Sequence, residues 1–401
     1  MNNNSRGSLK FLDMVAAVGI CMCLALIVIS SSKNNRPYTR RFTCQNNLLQ
    51  IGRGLLAFSN ARNTFPNAGT FLDDPKVHRG DPRKSSILPA IHDPRADGGN
   101  SKALLRSWVV DILPYIDAQE LYDGWNFQRD YLDTTTSPTT ASNFQLASTM
   151  FGILRCPEDA TAATGQGNLS YAVNGGFMRW PAVPISWNGS PQDGASNSGP
   201  PLQWAPAGAD WRETQAIGKK LGVMFLGTHT GDQPWDIRTT PKDISDGASH
   251  TILAGENALV GYSPKGSPFS GKRETNWACP LPNFVMFIGS DDICRSENSA
   301  IGCLAGQLAT TPRGIDGRGW RKSNLVGTHQ NINFGRKMTV EGSFPFANSH
   351  HPDGSRFVFC DGSVRFLSDP IDGTVYSKLL TPAGESLPEA IRQLKLGGKL
   401  P

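Results

Sequence analysis

The chain has 401 residues, a net charge of +5, 18% charged residues and 38% hydrophobic residues. That balance excludes a disordered chain. A weak charge spread over this length, with no Lys/Arg run interleaved with aromatics after residue 41, argues against a nucleic-acid partner. With 42 Gly and 28 Pro, turns and short strands should outnumber long helices.

The first element is an uncharged run from Met14 to Ile29, which Phe11 and Leu12 extend past Asp13. A bilayer core takes roughly 17–25 apolar residues, so the run is short for a span. The reading is a retained transmembrane helix over 11–30, behind a short cytoplasmic leader-like segment, 1–10. Arg6 and Lys10 also make a signal-peptide n-region, with Ser30–Ser32 as its candidate cleavage site. Lys33, Arg36, Arg40 and Arg41 follow the run, and a positive-inside count would put that side in the cytoplasm. Cysteine usage and the n-region argue the reverse. The expected protein is therefore single-pass in the cell membrane, with its large C-terminal domain on the extracytoplasmic side. A carboxylate costs about 2.5–3.5 kcal/mol at a bilayer centre and less near an end. Asp13 either sits at the interface or meets a neighbouring subunit's N-terminal amine.

A polar juxtamembrane break over 31–43 includes Pro37, and the extracytoplasmic domain is assigned to 44–401. It opens on an amphipathic helix: Cys44, Leu48, Ile51, Leu55 and Phe58 follow 4-3-4-3 spacing, broadened by Leu49 and Leu56. Gln45, Asn46, Asn47, Gln50 and Arg53 fall on the other side, and the helix should end near Asn60–Asn63, before Pro66. Such a face needs a sheet to cover it. Residues 67–105 read as a long loop, and Ser107–Tyr122 as partly helical with a break at Pro114. Residues 180–240 read as loop with short strands, and 279–345 as an insertion. Nine Trp would suit either a glycan-binding surface or a core built of short segments, the second being the plainer expectation.

The C-terminal stretch SHHPDGSRFVFCDGSVRFLSD predicts a hairpin. Asp361-Gly362 is the dipeptide of a two-residue loop, which would pair Cys360 with Ser363, Phe359 with Val364, Val358 with Arg365 and Phe357 with Phe366. One face would then be Phe357, Phe359, Val364 and Phe366. His351 and Asp361 would lie at opposite ends of one strand, some 25–30 Å apart at about 3.4 Å per residue. That separation excludes a catalytic dyad, and both residues read as structural.

No G-x-S-x-G, HExxH, P-loop or G-x-G-x-x-G after a strand is present. The pairs Asp73-Asp74 and Asp291-Asp292 read as solvated loop, and Glu256 as a buried hydrogen-bonding or ion-paired group. Beyond the apolar run stand Cys44, Cys156, Cys279, Cys294, Cys303 and Cys360, with no CxxC and with seven scattered His. Neither a metal nor a cofactor is expected, and outside the cytoplasm these six Cys fit one to three disulfides.

Five segments taken together resemble one family. They are CQNNLLQIGRGLLAFSNARNTFP, WVVDILPYIDAQELYDGWN, LRCPEDA with SYAVNGG, DISDGASHTILAGEN and HPDGSRFVFCDGSVRFLSDPIDG. They occur in the order found in the DUF1559 family of planctomycete pilin-like proteins, and frame most of the chain from 44 to 385. That family carries a prepilin-type N-terminus and a C-terminal H-x9-DG motif, matched by His351, Asp361 and Gly362. The resemblance implies a pilin-like α+β fold, with a long N-terminal helix packed on an antiparallel sheet and long loop insertions. Aligning Asp13 with the prepilin acid at position five puts the cut at Ser8–Leu9, with Ser8 where the pattern has Gly; a cut at Gly7–Ser8 would make Asp13 the sixth residue. Ser8, Leu9 and Asp13 are thus the processing or assembly candidates. Cys44 and Cys156 flank family-like segments and are expected to pair, and Cys294 and Cys303 form a second candidate bridge.

The function expected is a membrane-anchored, pseudopilin-like structural or secretion-associated surface protein, not an enzyme. Its partners would be membrane lipid through 11–30 and other pilin-like subunits. The alternative is an anchored module that binds an envelope glycan or protein.

Overall fold

The computed structural model describes residues 11–72, 104–177 except 139, 211–290 except 232–235, 262, 264, 265, 271 and 272, then 315–337 and 340–397. Within helices, the side chains of 11–13, 24–38, 211, 213 and 214 also fall outside the description.

Helix α1 runs from Phe11 to Arg62. The polar break expected near Pro37 does not interrupt it. A proline removes one N–H and bends a helix, and turns on both sides can carry the helix past it. The amphipathic reading holds over the second half, where Cys44, Leu48, Ile51 and Leu55 are fully buried. Asn47, assigned to the polar side, is also buried. Its amide donates to the carbonyls of Gly152 (3.2 Å) and Arg155 (2.8 Å), which ties α1 to the loop before Cys156. The helix ends at Arg62, and Asn63 takes a left-handed conformation, φ 55°. The expected span at 11–30 lies partly among side chains outside the description. Among the described residues, no helix is long and apolar enough to cross a membrane.

The sheet that covers α1 has five strands: β3 (Tyr171–Asn174), β5 (Ile252–Glu256), β6 (Met286–Phe287), β7 (Gly354–Phe359) and β8 (Val364–Ser368). Their order is β6-β3-β5-β7-β8, antiparallel except that β3 and β6 run parallel. A second sheet joins β1 (Gly69–Phe71), β2 (Leu104–Ser107) and β4 (Gly227–Thr228) in the order β2-β1-β4. The architecture is α+β with mixed sheets. Because β6 is a strand of the main sheet, the region from 279 is not wholly an insertion.

Apart from its edge strand β8, the main sheet is largely buried on both faces. Val358 turns toward α1, where Gly52 lets the helix backbone approach; a Cβ there would overlap Val358 Cγ2. On the other face Phe357 meets Phe287 (ring centroids 5.9 Å) and Tyr376 (6.1 Å). Tyr376 belongs to helix α3, Gly373–Leu380, whose N-cap Asp372 accepts from the amides of Thr374 and Val375. Helix α2, Trp108–Ile112, is wholly buried and capped by Ser107, and Pro114 opens a 3-10 turn after it.

The hairpin forms one register away from expectation. Val358 faces Val364, Phe357 faces Arg365 and Arg356 faces Phe366. The amide of Phe359 donates to the carbonyl of Ser363 and that of Gly362 to the carbonyl of Phe359, each at 2.9 Å. Cys360, Asp361 and Gly362 therefore form a three-residue loop. Gly362, at φ 83°, takes the left-handed bulge position that such loops require. A one-residue slip exchanges the faces of a strand. Leu367 takes the buried site, while Phe366 stays exposed beneath the guanidinium of Arg356.

Candidate functional site

Four buried side chains from distant segments converge between α1 and the main sheet. Cys44 points inward from α1, and Cys156 follows the 3-10 turn Gly152–Leu154. A disulfide joins them, with Cα atoms 4.8 Å apart. This is the pairing expected from the resemblance. Glu256 closes β5 and His351 stands in the turn before β7, both almost wholly buried. His351 Nε2 lies 2.9 Å from Glu256 Oε1. The other carboxylate oxygen, Oε2, accepts from the Arg356 amide at 2.8 Å and the Ser355 hydroxyl at 3.3 Å. Cys156 Sγ is 3.7 Å from His351 Nε2 and 3.9 Å from Glu256 Oε1.

The surroundings hold this group in place. The carbonyl of His351 accepts from Asn333 Nδ2 and from the guanidinium of Arg336, and its amide donates to Ser349 Oγ. The Tyr171 hydroxyl donates to the carbonyl of Cys44. Burial, then the Glu256 carboxylate, pushes that phenol well above its usual range. Nearby, burial raises Asp159 against hydrogen bonds from Ser170 and Thr161, and His350 Nδ1 lies 3.8 Å from it. Thiol or disulfide, imidazole and carboxylate are ligand chemistry as well as pairing chemistry, and all four ligand-type atoms lie within 4.8 Å of one another. Every member of the group is buried.

A second feature is an open cleft of about 520 Å³ at the end of α1. Among the described residues, Arg62, Arg106 and Arg238 contribute to it with one carboxylate, Asp111, and with aromatic walls that include Phe58 and Phe127. Arg106 Nε meets Asp111 Oδ1 at 2.8 Å, and its Nη1 lies 3.3 Å from His229 Nδ1. Its guanidinium stands 5.0 Å from the centre of the Phe127 ring. Burial and then Arg106 lower the basicity of His229. A neutral His229 accepting from Arg106 at Nδ1 carries its proton on Nε2, and the Gln128 side-chain amide, 2.8 Å away, pairs with that proton only when it presents its oxygen.

Of the residues singled out from sequence, His351 and Glu256 come together, and Cys44 joins Cys156. Asp361 and Gly362 form the exposed hairpin loop, where Asp361 Oδ1 accepts from the Ser363 amide and hydroxyl. The Ser8 and Leu9 positions, the Asp13 side chain, Cys294 and Cys303 all lie outside the described residues. So do the pairs Asp73-Asp74 and Asp291-Asp292, with all of 180–210. Trp108, Trp125, Trp277 and Trp320 are buried, as core residues are. The meeting of the two Cys with Glu256 and His351 was not anticipated. Its signal was that four of the five family-like segments each carry one of these residues.

Fold and site define an α+β domain whose N-terminal helix is fastened by a buried disulfide to the loop that leads into the main sheet. The chain belongs to the family described as "Protein of unknown function (DUF1559)", which it matches over residues 33–374. No curated protein matches the chain, and no solved structure does.

Proposed function

We propose that this chain is a membrane-anchored, pilin-like surface protein that works as a structural or secretion-associated component rather than an enzyme. One observation carries the reading: the apolar surface of α1 changes partner along its length. Met14, Val15, Val18, Ile20 and Met22 are 53–65% exposed, whereas from Cys44 onward the apolar face is buried under the sheet. A helix surface this apolar calls for a cover, either lipid or the same segment of neighbouring subunits. A disulfide closing the domain favours an oxidising compartment, which supports an extracytoplasmic domain. Asp13 would then neutralise a neighbour's N-terminal amine.

The test is carbonate extraction of membranes from cells making the full chain, with mass spectrometry of the mature N-terminus. Retention in the pellet and a start at Ser8 or Leu9 support pilin-type processing. A start at Met1 or Asn2 supports a plain anchor. A soluble product starting near Ser32 refutes anchoring.

The cleft at the end of α1 favours a second reading, an anchored module for an acidic envelope glycan. Among the described residues, three guanidinium groups against one carboxylate, beside aromatic walls, suit a carboxylated sugar chain. Titration of polyuronate fragments into the full chain should give saturable binding that Arg62→Ala with Arg238→Ala weakens about tenfold or more. Binding insensitive to both substitutions rejects this cleft as the site.

A further inference from the structure

We propose that Cys44, Cys156, His351 and Glu256 form a zinc site in the reduced chain, and that disulfide formation closes it. The inference is independent of anchoring and of the cleft.

The argument is geometric. In tetrahedral zinc sites the metal lies about 2.3 Å from sulfur and 2.0–2.2 Å from nitrogen or oxygen, which sets neighbouring ligand atoms roughly 3.3–3.8 Å apart. Cys156 Sγ already stands 3.7 Å from His351 Nε2 and 3.9 Å from Glu256 Oε1. His351 Nε2 and Glu256 Oε1, at 2.9 Å, need only a small separation to admit the ion. Cys44 completes the set, and the four ligand-type atoms fall within 4.8 Å of one another. The largest change is at the two sulfurs, which are bonded to each other in the disulfide and must part.

Part of the second sphere is also in place. Glu256 Oε2 is held by the Arg356 amide and the Ser355 hydroxyl, leaving Oε1 to face the centre. His351 is fixed through its backbone by Asn333 and Arg336. Its Nδ1 is buried with no hydrogen-bond partner. When the metal takes Nε2, the imidazole proton moves to Nδ1 without displacing another bond. Two thiolates, one carboxylate and a neutral imidazole fit Zn²⁺, whose preferences are borderline soft.

The chemistry balances. Two electrons and two protons from a dithiol open the Cys44–Cys156 bond to two thiols, and the dithiol becomes a disulfide. Zinc binding then releases the two thiol protons. In the reverse direction, exchange with an oxidised dithiol forms the Cys44–Cys156 bond, reduces the donor and expels Zn²⁺. A newly made chain, with its thiols reduced, would carry the metal until the domain meets an oxidising compartment.

The test uses the full chain in detergent, with Ser at Cys21, Cys23, Cys294 and Cys303 to remove competing thiols. Under anaerobic phosphine reduction, cobalt is added as a spectroscopic substitute and zinc by competition with a chromogenic chelator. The expected result is one equivalent of cobalt with tetrahedral and thiolate charge-transfer absorption, reversed by zinc. His351→Gln should lower zinc affinity by at least about tenfold. The oxidised chain should bind neither ion at this site. Circular dichroism of the reduced variant controls for folding, and Cys44→Ser in the same background should abolish the charge-transfer band. Absence of that band in the folded reduced chain overturns the proposal. So does zinc affinity unchanged in His351→Gln or in the oxidised chain.

Discussion

A proton on Asp130 favours the folded chain. Burial lifts its carboxyl from the ordinary 3.8 to about 7, against the pull of the Leu132 amide and Arg273. Oδ1 accepts from Leu132, while Oδ2 is buried with no hydrogen-bond partner, the place a carboxyl proton would occupy. A raised folded pKa means that the folded state binds the proton more tightly. Its stabilising effect is complete below 3.8 and is lost as pH rises through about 7. Asp130→Asn keeps the Oδ1 acceptor and has no proton to lose. Urea unfolding at stepped pH should show the wild type losing stability relative to this variant across that window; a constant difference would contradict the assignment. Gly362 is the second residue-scale case. Its φ of 83° suits glycine, and another side chain there costs about 1–2 kcal/mol. Gly362→Val should lower the thermal midpoint, and Gly362→Asn should lower it less.

At the scale of elements, α1 meets its neighbours through glycines: Gly52 faces the sheet, and Gly54 faces α2 and the turn after it. A helix interior normally gains about 1 kcal/mol when Gly becomes Ala. At Gly52 the added methyl would overlap Val358, and at Gly54 it would lie 2.7 Å from Ile116 Cγ2. Overpacking costs about 1–3 kcal/mol, so Gly52→Ala should destabilise by roughly 1–2 kcal/mol in chemical denaturation. Adding Val358→Ala should recover part of that loss in a double-mutant cycle. Gly19→Ala is the contrast, since nothing lies within 4 Å of the added carbon and the unfolding midpoint should not fall. The hairpin belongs to this scale too. Asp-Gly and the alternating strands locate it in the sequence, but the same residues serve a two-residue or a three-residue loop. Leu367 rather than Phe366 fits the buried site, so packing against the rest of the sheet chose the register.

For the whole molecule, the disulfide closes a loop across a sequence separation of 112 residues, joining α1 to the loop that leads into β3. Removal of such a bond typically costs about 2–5 kcal/mol, largely through a freer unfolded chain. Cys44→Ala with Cys156→Ala should therefore lower the unfolding free energy by that amount and steepen the denaturant slope, since the unfolded chain expands. A shift below about 1 kcal/mol would mean that Asn47 and the apolar face hold α1 unaided.

The sequence alone determined what local periodicity and turn chemistry encode. These are the apolar N-terminal run, the buried face of α1 from Cys44 to Leu55, its end near Arg62, and a hairpin centred on Asp361-Gly362; the α+β class came from the family resemblance. Ordered family-like segments added the Cys44–Cys156 pair. Tertiary structure alone decided what depends on residues far apart in the chain: the hairpin register, the burial of Asn47, the place of Met286–Phe287 in the main sheet, and the Arg106 cleft. Above all it decided that His351 belongs with Glu256 and the two Cys, and not with Asp361. The physical reason is that ligand-like and ion-pairing side chains carry no periodicity, so their meeting is written only in the packing of α1 on the sheet.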